Sequence, residues 1–198
     1  MASHPPLVLV HGLWDTPRLF HRLQQRLANR RSPLLIPQMP IWLGRTPIQD
    51  LAAILGHRIE AAFGPNTPID LLGFSMGGLI GRTWIQRHGG QSRTRRFISV
   101  GSPQQGTPLA QPWPRWLLAG IADMKLASPL LNELNANPAS LEGVECSSFY
   151  CPSDLMVVPG WRAVLPVGPR QALPVFTHRQ LMREPAAIER LAAELLRP

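Results

Sequence analysis

The chain has 198 residues, 44% of them hydrophobic and 16% charged, a balance that excludes a disordered polymer and supplies one core of ordinary size. Its net charge of +8 would suit a polyanion-binding protein, yet the basic residues are nineteen arginines and Lys125 scattered along the chain. Dispersed charge argues against nucleic acid and for a solvated surface, even at the densest groups, Arg30–Arg31 and Arg93, Arg95 and Arg96.

The opening stretch "MASHPPLVLVHG" lacks a basic segment followed by a long apolar run, and no run approaches transmembrane length, so a cytoplasmic location is expected. "PLVLVH" reads as a buried strand. Residues 17 to 29 read as a helix with Leu19, Phe20, Leu23 and Leu27 on one face, Thr16 capping it and Pro17 in its first turn. "LLIP" at 34 to 37 is a short strand. A second helix is expected from about 47 to 62, capped by Thr46 with Gln49 at the capping-box position and Leu51, Leu55, Ile59 and Ala62 facing in. "IDLLGF" at 69 to 74 is the next strand, and a helix starts at Ser75 with Leu79, Ile80 and Thr83 inward. "RFISVGS" at 96 to 102 and "VECSSFYC" at 144 to 151 are further strands. Cys146 and Cys151 lie five apart on the latter, too distant in extended chain for a disulfide, and read as free thiols. A last helix runs from about Pro185 to Leu196 on Ile188, Leu191, Ala192 and Leu195. Repeated strand–helix–strand units predict a single α/β domain over residues 1–198, a mostly parallel sheet with helices on both faces.

Residues 107 to 143 break this rhythm with "PLAQPWPRWLLAGIADMKLASPLLNELN". Two readings stand side by side. One is a pair of core-covering helices. The other is a pocket cover for an acyl chain, lined by Trp113, Trp116, Leu117, Leu118, Ile121 and Met124, since insertions of this length in a compact domain are often functional.

"GFSMG" at 73 to 77 is G-x-S-x-G in the setting that motif requires, after an apolar strand and before an amphipathic helix. Gly73 and Gly77 let the backbone crowd, and Ser75 projects its hydroxyl beyond the sheet as a nucleophile. A serine needs a base. Of six histidines, His178 in "PVFTHRQ" follows the last strand-like segment and is the choice; His11 is expected to shape the loop after the first strand. Asp154, in the turn after "SSFYC", is expected to orient His178, with Asp123 as its main competitor. The order Ser75, Asp154, His178 is that of the nucleophile-elbow hydrolases. Backbone N–H groups of Leu13, beyond the His11-Gly12 turn, and of Met76 are the expected donors to an oxyanion.

"VHGLW" at 10 to 14, "GFSMGG" at 73 to 78, "GSPQQGTPLA" at 101 to 110, "SDLMVVP" at 153 to 159 and "TH" at 177 to 178 together resemble the α/β-hydrolase superfamily, in particular its small bacterial triacylglycerol lipases and esterases. The resemblance implies the three-layer α/β-hydrolase fold and ester hydrolysis through an acyl-enzyme on Ser75, Asp154 and His178. It departs from the pattern at Gln104, where such lipases often carry histidine. Larger relatives carry calcium near the catalytic histidine; with no second carboxylate beside Asp154 or close before His178, no metal and no cofactor are expected. The expected partner is a small-molecule or lipid acyl ester, with transient contact with a lipid surface, and the expected pocket adds Trp14 and Trp42 to Trp113, Trp116, Leu117 and Ile121. An acyltransferase built on the same acyl-enzyme and a non-catalytic binding protein on the same scaffold are the alternatives.

Overall fold

The computed structural model describes residues 4–198; residues 1–3, the start of the N-terminal stretch read above, lie outside the described residues. Six strands, β1 (Leu7–Val10), β2 (Leu34–Leu35), β3 (Ile69–Phe74), β4 (Thr94–Val100), β5 (Glu145–Tyr150) and β6 (Arg170–Ala172), form one parallel sheet in the order β2-β1-β3-β4-β5-β6. Alternating side chains of the central strands feed two apolar layers, as a sheet covered on both faces requires. On β1, Val8 and Val10 join one layer while Leu7 and Leu9 join the other.

The first layer is closed by α2 (Ile48–Phe63), through Ile48, Leu51, Leu55 and Ile59, and by α3 (Met76–Arg87), through Leu79, Ile80 and Trp84. The second is closed by α1 (His21–Leu27), through Leu23 and Leu27, and by α6 (Pro185–Leu195), through Ile188, Leu191, Ala192 and Leu195. Helix, sheet and helix make the three layers of the α/β-hydrolase fold. Between β4 and β5 lie two short helices, α4 (Ala119–Ala122) and α5 (Pro129–Ala136), whose Ile121, Leu130, Leu131 and Leu134 extend the first layer.

Local expectations fail where a tertiary contact competes. The first helix is broken into a 3-10 turn at Pro17–Phe20, the α1 segment and another 3-10 turn at Ala28–Arg30, and Thr16 makes no side-chain cap. Thr46 does not cap α2, since its hydroxyl donates to the Pro40 carbonyl instead. The amide of Ile48 donates to Asp123 Oδ2 at 2.9 Å, so an acid from α4's C-terminus serves as the cap. Ala62 is exposed, while Ile59 and Phe63 at the same end of α2 pack on the core. The strand β6 carries three exposed residues with no apolar alternation, hence no sequence signal.

The arginine groups also depart from a solvated surface. Arg31 and Arg96 are buried at the N-terminal edge of the sheet. Asp70, fully buried on β3, accepts from Arg31 Nη2 at 2.8 Å and from Arg95 Nε and Nη2 at 2.9 and 2.7 Å. Burial alone would raise this carboxyl, but the bonds from Arg95 and Arg31 outweigh it and hold it below the usual carboxylate range. Removing one partner of such a group strands a buried charge. Asp70→Asn should therefore destabilise the chain by about 3 kcal/mol or more, read as a lowered urea midpoint at neutral pH; an unchanged midpoint would count against a structural role for the cluster.

Candidate active site

Strand order reverses between β1 and β3, which run in register as far as Val10 opposite Gly73. A crevice at the C-terminal ends of two such strands is where open α/β sheets hold ligands. Ser75 stands at that point, between β3 and α3, with φ 54° and ψ −128°. An L-residue adopts this region only under constraint. The constraint is crowding: a Cβ on Gly12 would lie 2.7 Å from Ser75 Cβ and 3.2 Å from the Phe74 carbonyl oxygen. Side chains on Gly73 and Gly77 would strike the Gly78 backbone and the Val10 carbonyl. The Ser75 amide donates to the Val100 carbonyl at 2.9 Å, tying the turn to β4. Met76 is the first residue of α3, so its amide has no partner within the helix.

The loop after β1 is shaped by His11, which is buried. Its Nε2 accepts from the Met39 amide at 3.0 Å, so Nδ1 carries the proton and donates to the Gly12 carbonyl at 3.0 Å. Leu13 follows and lines the cavity described below.

Asp154 and His178 come from loops beyond β5 and β6, 24 residues apart, and meet with Asp154 Oδ2 2.6 Å from His178 Nδ1. Asp154 is buried, and its Oδ1 accepts from the amides of Met156 and Val157 at 2.7 and 3.2 Å. Both carboxylate oxygens are thus aimed. His178 opens a 3-10 turn (His178–Met182) with a full capping box: Gln180 Oε1 accepts from the Thr177 amide at 3.0 Å while the Thr177 side chain bonds back. Its ring lies 4.8 Å from that of Phe74, the residue before Ser75. With Nδ1 engaged, Nε2 is the nitrogen available to a second partner. Among the described residues the Ser75 hydroxyl makes no hydrogen bond to it; in free enzymes such contacts are commonly loose and tighten on substrate binding.

Ser75 and His178 share one cavity of about 770 Å³, within the range of small-molecule sites. Of the expected pocket residues, Trp14, Trp113, Ile121, and with them Met124, line it. Trp42, Trp116 and Leu117 do not: they point to solvent, at 73%, 85% and 38% exposure. Leu118 packs against the core instead. Their apolar character alone could not distinguish a lining position from an outer one. Asp123, the competitor acid, is far from a histidine in role: it caps α2 and pairs with Arg115. Missed in the sequence were Leu155, Met156 and Val157, which follow Asp154 onto the cavity wall, and Asp15 and Arg179. For Asp15 the available signal was its place directly after the "HGLW" turn.

Gln104 is buried where a histidine was expected from the resemblance. Its Nε2 donates to Ser99 Oγ at 3.0 Å, and its side-chain oxygen accepts from Arg82 Nη1 at 3.4 Å. Arg82, on α3, also donates to the Leu134 carbonyl at 2.9 Å and to Asn135 Oδ1 at 3.0 Å, joining the serine-bearing helix to α5. Its hydrogen-bond partners are neutral, and burial brings its pKa down to about 10.

A family model described as "Alpha/beta hydrolase family" matches residues 7–196. No curated protein matches the sequence. Among solved structures, the mature lipase BlEst2 of Bacillus licheniformis superposes with a TM-score of 0.77 at 14% identity, covering 98% of this chain and 93% of that one. Lipase B of Aspergillus fumigatus gives 0.78 at 16% identity over 99% of this chain, which spans 53% of that protein. The RedJ thioesterase of the prodiginine pathway in Streptomyces coelicolor gives 0.63 at 22% identity, over 98% and 90% of the two chains. At these identities the likeness is one of fold.

Burial moves the His11 imidazole below its ordinary 6.5, the Gly12 bond and Asp15 opposing. The unfolded chain then takes up this proton first, so stability is lost as pH falls below about 6.5. Between pH 7 and pH 5 the thermal midpoint should drop, and less steeply in His11→Gln. The same direction holds for His4 and His88, which are present in both proteins, so the difference isolates His11. Parallel pH curves would show that His11 is not the titrating group.

Proposed function

Because this chain belongs to the alpha/beta hydrolase family, we propose that it is a serine carboxylic ester hydrolase of the lipase or esterase type. The observation that carries the reading is the 2.6 Å contact that Asp154 makes with His178, whose ring lines the same cavity as Ser75. In this reading Ser75 Oγ attacks the acyl carbonyl carbon while His178 Nε2 takes its proton. Asp154 holds the imidazole in the tautomer with Nδ1–H and stabilises its cationic form. The N–H groups of Leu13 and Met76 bind the oxyanion, helped by the positive end of α3. Collapse of the tetrahedral intermediate breaks the ester C–O bond, and His178 returns the proton to the departing alcohol. Water then attacks the acyl-enzyme by the same steps in reverse, releasing the acid and Ser75.

The segment 107–143 acts as the wall of an acyl pocket, with Leu109, Ala110, Trp113, Ile121 and Met124 as the apolar contacts supporting that role. Medium-length acyl chains suit its size. Among the described residues no helix is long and apolar enough to cross a membrane.

A fluorophosphonate should label the protein at Ser75 and leave Ser75→Ala unlabelled. Purified protein should hydrolyse nitrophenyl esters of graded length, with Ser75→Ala or His178→Ala lowering kcat at least about a thousandfold. No turnover of any chain length would remove the reading. Product analysis with added alcohol or thiol separates hydrolysis from acyl transfer.

The cavity mouth carries exposed Trp14 (64%) and Leu155 (77%), the kind of apolar rim that marks an interaction surface. This supports transient contact with a lipid surface. Sedimentation with phosphatidylcholine vesicles should retain the protein, and replacing both residues with Ser should weaken partitioning on the order of tenfold; equal retention of the variant would exclude this rim as the contact.

A further inference from the structure

The cavity has two unlike walls. One is built by Leu109, Ala110, Trp113, Ile121 and Met124 from the segment before and around α4, of which Ala110, Ile121 and Met124 belong to the first apolar layer. The other is built by Asp15, Thr177, His178 and Arg179, on the side where Phe74 and Leu181 belong to the second layer. Two opposite charges stand on this second wall in an otherwise apolar site.

Asp15 sits close to the reacting centre. A point at the Cβ position of Gly12 lies 2.7 Å from Ser75 Cβ and 3.2 Å from Asp15 Oδ2, so the two distances together cap their separation at about 6 Å. The carboxylate is half-buried and has no hydrogen-bond partner among the described residues. Burial pushes it above the ordinary carboxylate range, while His11, His178, Arg179 and Arg183 pull the other way. A partly desolvated acid that takes no donor from the protein and faces a cavity is free to accept one from a ligand.

Which part of a substrate would reach it follows from proton transfer. His178 must deliver a proton to the oxygen of the departing alcohol, so the alcohol portion leaves along the imidazole's side of the cavity, and the acyl chain takes the apolar wall. The geometry points to a leaving-group subsite formed by Asp15 and Arg179, selecting esters whose alcohol carries a free hydroxyl, as in a monoacylated polyol. A hydroxyl can donate to the carboxylate and accept from the guanidinium, so one group engages both. A charged alcohol meets one attracting and one repelling group there, so a net charge brings it no advantage over a free hydroxyl. This inference rests on the ester-hydrolase reading above.

The test compares kcat/KM for 2,3-dihydroxypropyl octanoate, propyl octanoate and 2-(trimethylammonio)ethyl octanoate, all as monomers in solution. Unmodified protein should prefer the diol ester over the propyl ester by roughly tenfold or more, the scale of discrimination when a site built to pair a hydroxyl meets an analogue without one. The cationic ester should do no better than the propyl ester. Asp15→Asn should bring the diol-to-propyl ratio at least severalfold closer to one, and Arg179→Gln, at an exposed position, should lower it as well. Each ratio is read on a single preparation, so a loss of folded protein cancels. Turnover with a ratio near one, a ratio unmoved by Asp15→Asn, or a preference for the cationic ester would overturn the subsite while leaving the hydrolase reading intact. No turnover of any ester by the unmodified protein, with Ser75 unlabelled by fluorophosphonate, would remove both.

Discussion

Ser75 is held in a backbone conformation that costs an L-residue on the order of 1 to 3 kcal/mol, and the architecture around it explains how that cost is sustained. The chain must end a strand and begin a helix within one residue. The close backbone approach at Gly12, Gly73 and Gly77 leaves no room for a relaxed alternative. The Ser75 amide is anchored to β4, and the residues on both sides of it, Phe74 and Met76, are buried. Strain at one residue is small beside the apolar area that β3 and α3 remove from water, so relaxing the turn would unpack far more than it relieved. The hydroxyl is displayed at the sheet edge as a consequence of packing, without any contact dedicated to aiming it.

The acid and the histidine are positioned by different means. Neither belongs to a regular strand or long helix, yet their loops are stitched together at successive points. Cys151 Sγ lies 3.2 Å from the Val175 carbonyl, Ser153 Oγ donates to the Phe176 carbonyl at 3.0 Å, and Asp154 meets His178. Three contacts in step make the two loops a single rigid unit. Thr107 extends the stitching by donating to the Met156 carbonyl at 2.8 Å, which joins the segment before α4 to the turn that carries Asp154. The buried thiols fit this picture as packing groups: Cys146, near the sheet's first layer, is pushed up to about 12 by burial, which keeps it protonated and unreactive.

What could be read from the sequence was whatever depends on local pattern. Strand β3 was expected over the residues it occupies, the start of α3 within a residue, and α6 within a residue at either end, because buried strands and amphipathic helices announce themselves by period. The candidate nucleophile was legible for the same reason: G-x-S-x-G is a local solution to a local crowding problem. Contacts across the fold were not legible. Nothing near Ile48 in sequence suggested that Asp123 would cap its helix, and nothing in "RTRRF" told Arg96, which is buried, from Arg95, which is partly exposed. The tryptophans divide similarly. Trp113 and Trp116 sit three apart in the same proline-rich stretch, and only the path of the backbone decides that one lines the cavity and the other faces water.

Arg82 shows how such a long-range contact reaches the site. A guanidinium buried among carbonyl oxygens and amide side chains, with no carboxylate, gives up solvation that only dense hydrogen bonding can replace. Its bonds to Gln104, after β4, and to Leu134 and Asn135, on α5, supply this, and they tie two segments to the helix that follows Ser75. Gln104 is suited to the position because its amide oxygen faces the guanidinium while its amide nitrogen donates to Ser99 on β4. An imidazole there could accept from Arg82 on one nitrogen and donate on the other, but across a fixed ring spacing. The glutamine thus fulfils the same dual demand with a more adjustable geometry, and the departure from the familiar pattern at this residue preserves the link between α3, β4 and α5.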